Sequence, residues 1–183
     1  MAISTVKMSA LTAASAWRRV DLTEKEEPRL ASSGRGLFMP KPLPHRLDPS
    51  IYPVTMVAQT RFQDMDINGH LNNVAFAALF ENARVQLNRN VRPWADRPDN
   101  ERTMVAAVEI NYLREGNFPA DATVCSGIGR IGTSSWTIEQ AMFQNGQCIA
   151  TCDTVVVCRT DNEAKPLRAE IIDGLKLQMV KAG

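Results

Sequence analysis

Asp64, Asp66, Asn68 and His70 crowd into the stretch just ahead of Leu71, where a run of small and apolar residues begins. A carboxylate at the end of a strand and directly before a helix faces the backbone N–H groups that a helix's first turn leaves without intrahelical acceptors. That pairing suits acyl chemistry. The amides can hold a carbonyl oxygen as charge grows on it, while the carboxylate attacks the carbonyl or activates a water. Asn68 and His70 add polar groups that could orient the carboxylate, the water or the substrate. Glu81 is a carboxylate within an otherwise apolar segment. Its burial is costly without a partner, so it either reaches the cluster or finds solvent at an interface.

Each of these residues also has a plainer reading. Asp66 could merely cap the helix, and Asp64 reads as a hydrogen-bonding group at the strand end. His70 could belong to the turn, Glu81 could pair with Arg84 or Arg114, and Asn72 and Asn73 read as helix caps. Ser134 and Ser135 lack the strand-turn-helix setting of a serine nucleophile, and only two histidines, His45 and His70, exist to serve as base.

The elements that position the cluster follow from periodicity. From Val54 to Asp64 the apolar residues Val54, Met56, Ala58 and Phe62 alternate with Gln59, Arg61 and Gln63, which predicts a half-buried strand. Asn68-Gly69 marks the turn that ends it. From Asn72 or Asn73 to about Asn88 the pattern predicts a helix apolar nearly all round, with Val74, Ala77, Ala78, Glu81 and Val85 on one face; such a helix is buried. After a turn region at Arg92–Arg102, strands are predicted over Met104–Leu113, Thr123–Arg130, Ser135–Phe143 and Gln147–Arg159. Asn145-Gly146 between the last two is a strong hairpin signal. Leu167, Ile171, Leu175 and Met179 suggest a final helix interrupted or ended near Gly174. One helix against five antiparallel strands is an α+β two-layer arrangement.

The chain has 183 residues, 44% of them hydrophobic, enough for one domain with a core plus an appendage. A net charge of +1 gives no electrostatic footprint for nucleic acid or an anionic membrane. No apolar run approaches the roughly 20 residues of a transmembrane helix. Cys125, Cys148, Cys152 and Cys158 fall in strand-like stretches with no Cys-x-x-Cys, which reads as core thiols in a reducing compartment rather than a zinc site or disulfides. Trp17, Trp94 and Trp136 read as packing or tail residues. Residues 1–48 read as an N-terminal extension and 49–183 as the folded domain, with order beginning near Ile51. Met1 to Val20 carries basic residues and no acid, a composition compatible with a transit peptide. The basic residues are few, however, and a disordered or loosely docked extension on a cytoplasmic protein is the reading adopted.

The stretch Asp64-Met-Asp-Ile-Asn-Gly-His-Leu-Asn-Asn-Val-Ala-Phe-Ala-Ala-Leu-Phe-Glu-Asn-Ala-Arg84 resembles the signature of the hotdog-fold thioesterases. It is similar to the 4-hydroxybenzoyl-CoA and acyl-CoA thioesterase group and to plant acyl-carrier-protein thioesterases. Val108-Glu-Ile-Asn-Tyr-Leu-Arg114, Asp121, Ile131-Gly-Thr-Ser-Ser135 and the Asn145-Gly146 hairpin follow in the family's order, so the resemblance covers about Val54 to Leu175. It implies one long central helix wrapped by a five-stranded antiparallel sheet. It implies hydrolysis of an acyl-CoA or acyl-carrier-protein thioester, with Asp66 as general base or nucleophile. Asn68, His70 and Glu81 match the polar residues around that acid, and the backbone amides of Leu71, Asn72, Asn73 and Val74 would polarise the thioester carbonyl. The resemblance implies no metal or cofactor, and a homodimer, or a homotetramer, with each site between subunits. Phe76 departs from it, since many relatives carry Tyr there.

Two rival activities stand beside hydrolysis. A hotdog hydratase or dehydratase also pairs an acid with a histidine, but Asp66-Ile-Asn-Gly-His70 lacks the proline of that motif and is one residue shorter. A non-catalytic acyl-thioester sensor is the other, since fold does not dictate function.

Overall fold

The computed structural model describes residues 42–91, 98–161 and 163–181; Trp17, Trp94 and residues 1–41 lie outside them. The elements are β1 (Val54–Ala58), α1 (Asn73–Val91), β2 (Glu101–Tyr112), β3 (Ala122–Ile131), β4 (Ser135–Gln144), β5 (Gln147–Thr160), a two-residue β6 (Glu163–Ala164) and α2 (Ala169–Lys176). The strands form one antiparallel sheet in the order β1-β3-β4-β5-β2, with β6 pairing β5. The β4–β5 hairpin turns on Asn145 and Gly146, whose φ angles of +50° and +75° match a two-residue turn that few other residue pairs adopt. The predicted α+β layering is present, with β6 added.

α1 lies on the sheet through Phe76, Phe80, Ala83 and Leu87, all nearly fully buried. Small residues opposite them, Ala122, Val124, Ala150 and Cys152, let helix and sheet approach closely. Beyond Leu87 the packing continues through Ile128, Trp136 and Ile138 to α2, which contributes Ile171 and Leu175. All four cysteines are buried in these strands. The C-terminal residues complete the β3 edge beyond the start of β1: the Ile128 amide donates to the Gln178 carbonyl and the Val180 amide to that of Ile128.

Four expectations change. The first strand stops at Ala58 because the Asp64 carboxylate accepts from the Arg61 amide at 2.8 Å, closing a 3-10 turn over Phe62–Asp64 and leaving Phe62 exposed. α1 is buried on one side only; Val74, Ala77, Ala78, Glu81 and Val85 are exposed in the single chain. Order begins before Ile51. Arg46 is buried in a 3-10 turn at Pro44–Leu47, on the face of the sheet away from α1. Its guanidinium sits 3.3 Å from Glu139 and 2.8 Å from Asp153. Those acids are cross-strand partners whose like charges would otherwise repel.

Gly174 neither ends nor interrupts α2. A Cβ there would sit 2.3 Å from the Val91 carbonyl oxygen, so the glycine is what lets the ends of α1 and α2 meet. Helix propensity alone predicts that Gly174→Ala gains about 1 kcal/mol. The steric contact reverses the sign, and we expect a loss of about 1–3 kcal/mol, read as a lower urea midpoint at unchanged m-value.

Candidate functional site

The chain between β1 and α1 is fastened from both sides before the helix starts. The Leu71 amide donates to the Gly116 carbonyl at 2.7 Å, and the Asn72 amide to the Asp64 carbonyl at 2.8 Å. The Asn72 side chain then caps α1, its Oδ1 accepting from the Ala75 amide at 2.7 Å. Of the amides Leu71–Val74, the first two are thus spent on the fold. Those of Asn73 and Val74 open the helix, and neither has an acceptor among the described residues.

Asp66 stands in the loop leading to this helix mouth, exposed to solvent in the single chain. Its Oδ1 accepts from the Asn68 amide at 2.8 Å and the His70 amide at 3.2 Å, and the Asn68 side-chain amide donates to Oδ2 at 3.4 Å. These donors, the His70 amide foremost, hold its carboxyl below the usual carboxylate range. The Asp66 amide returns a bond to the His70 carbonyl at 2.8 Å, and Gly69 takes a positive φ to let the loop close. Asp64, by contrast, is buried and tied to Arg61, a structural role.

His70 reaches a residue that sequence reasoning missed. Its Nε2 lies 3.0 Å from Oε2 of Glu115, at the far end of β2. The segment carrying Glu115 is pinned: the Leu113 and Arg114 amides donate to the Ile149 carbonyl, Arg114 Nη1 to that of Cys148, and Gly116 receives Leu71. An imidazole that donates through Nε2 keeps its Nδ1 lone pair as an acceptor. The charged residue next to Gly116 at a strand end was the available signal, but only the tertiary fold brings it to His70.

His70, Asn73, Phe76, Tyr112 and Glu115 line an open groove of about 590 Å³ at the helix mouth. Phe76 and Tyr112 meet there edge to face, ring centroids 5.3 Å apart. The structure therefore brings together Asp66, Asn68, His70 and the start of α1. It does not bring Glu81 to them. Glu81 is exposed, more than two turns into the helix, 3.3 Å from Arg84 Nη2; Arg84 is buried, with Nη1 3.5 Å from Thr154 Oγ1. That is the structural pairing considered for Glu81. No cluster of metal-binding side chains occurs among the described residues, and no described helix is long and apolar enough to cross a membrane.

If Asn72 sets the helix mouth through its side-chain oxygen, Asn72→Asp keeps the cap and Asn72→Ala loses about 1 kcal/mol. Chemical denaturation of the two variants separates these outcomes.

A family model described as the thioesterase-like superfamily matches residues 60–175. Among solved structures, a predicted thioesterase from Bacillus stearothermophilus is 27% identical, with a TM-score of 0.64 over 70% of this chain and 98% of that one. A thioesterase from Thermus thermophilus, solved with coenzyme A and Zn, is 26% identical, with a TM-score of 0.64 over 72% of this chain and 98% of that one. A Pseudomonas aeruginosa protein is 26% identical, with a TM-score of 0.63 over 74% and 97%. No match was found among curated proteins.

Proposed function

The chain belongs to the thioesterase-like superfamily, and on that premise we propose that it hydrolyses an acyl-CoA thioester at the mouth of α1. The observation that carries this reading is the pair of unspent amides, Asn73 and Val74, at a helix mouth where His70 lines the same groove as Asn73 and holds the Asp66 carboxylate through its amide and Glu115 through Nε2. A thioester carbonyl seated on the two amides would be polarised as its oxygen gains charge, an interaction stronger in the transition state than in the ground state. Asp66, kept deprotonated by its local donors, then attacks the carbonyl carbon or takes a proton from water. Asn68 holds its carboxylate in place. Attack by Asp66 expels the thiolate and leaves a mixed anhydride that water then hydrolyses, whereas the activated water displaces the thiolate directly; both give the free acid and the coenzyme A thiol.

The 3.0 Å contact between His70 and Glu115 favours a second route to the same products. There, Nδ1 of His70 is the base for water, Glu115 fixes the ring, and Asp66 organises the loop. The acid-limb pH dependence tests the Asp66 route. A base works only when deprotonated, so a rate governed by Asp66, whose carboxyl is held low, persists on the acid side of the ordinary carboxylate value of about 3.9.

The reading includes a homodimer. β2 is a long sheet edge carrying exposed Met104, Val105, Val108 and Tyr112, beside the exposed α1 face of Val74, Ala77, Ala78 and Val85. A long apolar edge invites strand pairing, and two copies joined there would cover both the seam and the exposed mouth loop. Acyl-carrier protein as the carrier, and a cytoplasmic setting, remain parts of the family expectation that the geometry does not favour over coenzyme A or another compartment.

We expect Asp66→Asn to lower kcat/KM for acyl-CoA cleavage, followed as thiol release, about a hundredfold to ten-thousandfold. Retention of most of the rate removes Asp66 from the chemistry, and a loss confined to His70→Ala and Glu115→Gln selects the second route. An enoyl-CoA that changes its double-bond absorbance without thiol release would instead establish a hydratase.

A further inference from the structure

Between the two apolar clusters beneath α1 lies a band of polar side chains that the chemistry at the mouth does not use. On β4 the residues facing α1 run Met142, Gln140, Ile138, and Gln140 is fully buried. β3 sets Ser126 directly beside it, and β5 adds Thr154 opposite Ile138; both are fully buried. Gln140 Nε2 donates to Ser126 Oγ at 2.9 Å and to the Phe80 carbonyl at 3.1 Å. A carbonyl can only accept, so the nitrogen of the Gln140 amide has to face Phe80. In an α-helix that carbonyl is also the acceptor for the amide four residues on, here Arg84. The bond from Gln140 therefore rescues no orphan of the helix. It ties helix backbone to sheet. Gln140 Oε1 meets no donor among the described residues, so the side chain is held by its two donor bonds. A methionine fills similar space with no amide to satisfy, so burial alone does not call for glutamine here.

What the tie supplies is position. The contacts of Phe76, Phe80 and Ala83 with Ala122, Ala150 and Cys152 are apolar and have no preferred direction. The entry bonds to Gly116 and Asp64 fix one end of α1, and a rod fixed at one end can still pivot. Phe80 lies about 9 Å along the axis from Val74 and about 10.5 Å from Asn73. Gln140 sits on β4, a strand paired along both edges, which makes it a firm second point. We propose that Gln140 is a positioning residue for the reaction: by holding the Phe80 carbonyl it sets the axis of α1, and with it the aim of the Asn73 and Val74 amides. The proposal rests on the thioesterase reading. A misplacement of about 1 Å at a reacting centre costs up to about a hundredfold in rate. The carbonyl contact is strongest in the transition state while ground-state binding draws on the whole substrate, so the loss falls on kcat and not on KM.

The test uses the full-length protein with acetyl-, hexanoyl-, palmitoyl- and benzoyl-CoA. It reads thiol release, the urea midpoint and the backbone N–H resonances. Gln140→Met is combined with Ser126→Ala, so that no buried hydroxyl is left without its partner. The double variant keeps a urea midpoint at or above that of wild type. Its kcat falls about tenfold to a hundredfold on every thioester that wild type cleaves, with KM within about twofold, and the Asn73 and Val74 resonances of the free protein move. Gln140→Glu keeps the length of the side chain, and its carboxyl donates to Phe80 only while protonated. Burial raises the pH at which that acid ionises, and the charge of Arg84, bonded to Thr154 in the same band, lowers it. On either balance the donor is present on the acid side and lost on the alkaline side. The rate of Gln140→Glu relative to wild type is thus highest at acid pH and falls as pH rises, across the range in which circular dichroism shows the variant folded. Wild-type kcat in the double variant, or a Gln140→Glu ratio that does not change with pH, overturns the proposal. So does a loss carried by KM. Should the double variant not fold, Gln140→Glu decides alone. Should wild type cleave none of the four thioesters, the hydrolase reading is what fails, and the Asn73 and Val74 resonances of the variants decide whether Gln140 places α1.

Discussion

The first turn of α1 has more amide donors than the chain supplies acceptors for, and the site is organised by how they are allotted. Leu71 and Asn72 spend their N–H groups on Gly116 and Asp64, which lashes the incoming loop to β2's end and to the turn after β1. Ala75 gives its N–H to the Asn72 side chain. Asn73 and Val74 are left pointing out of the helix end, with the positive end of the helix dipole behind them. The same bonds that fix the helix entry decide which amides are left without an acceptor among the described residues. They also place Glu115 at His70, because Gly116 is one of the anchors.

Local chemistry was readable from the sequence where it depended on neighbours. Asn145-Gly146 made its hairpin, Asn72 capped α1, and the alternation in the late strands gave their spans to within a few residues, but the expectation that the last four strands are neighbours in chain order fails for β2, which lies beside β5 and not beside β3. What failed came from a competing local turn in one case and from distant partners in the others. Phe62 fits a period-two strand, but the Asp64 side chain pulls its own Arg61 amide into a turn instead. Gly174 looks like a helix stop and is in fact a point of contact with Val91. Glu115 escaped notice because nothing in its own segment advertises His70. The all-round apolarity of α1 was read correctly as composition and wrongly as burial, since one chain covers only the side that meets the sheet.

The two faces of the sheet are finished differently, and that difference focuses function. Away from α1, the residues preceding β1 lie over the sheet. Tyr52 and Ile51 pack on Cys125, Ala141 and Phe143, and Arg46 settles the Glu139–Asp153 pair. On the α1 side the covering is incomplete along β2, so exposed apolar surface gathers beside the helix mouth.

The allotment of amides is most directly observed by following backbone N–H resonances of the full-length protein during titration with a dethia acyl-CoA, which keeps the carbonyl and replaces the scissile sulfur with carbon. The account predicts downfield proton shifts at Asn73 and Val74, with Leu71 and Asn72, already bonded, left nearly in place. Saturable binding that leaves Asn73 and Val74 unmoved and shifts amides elsewhere would contradict it.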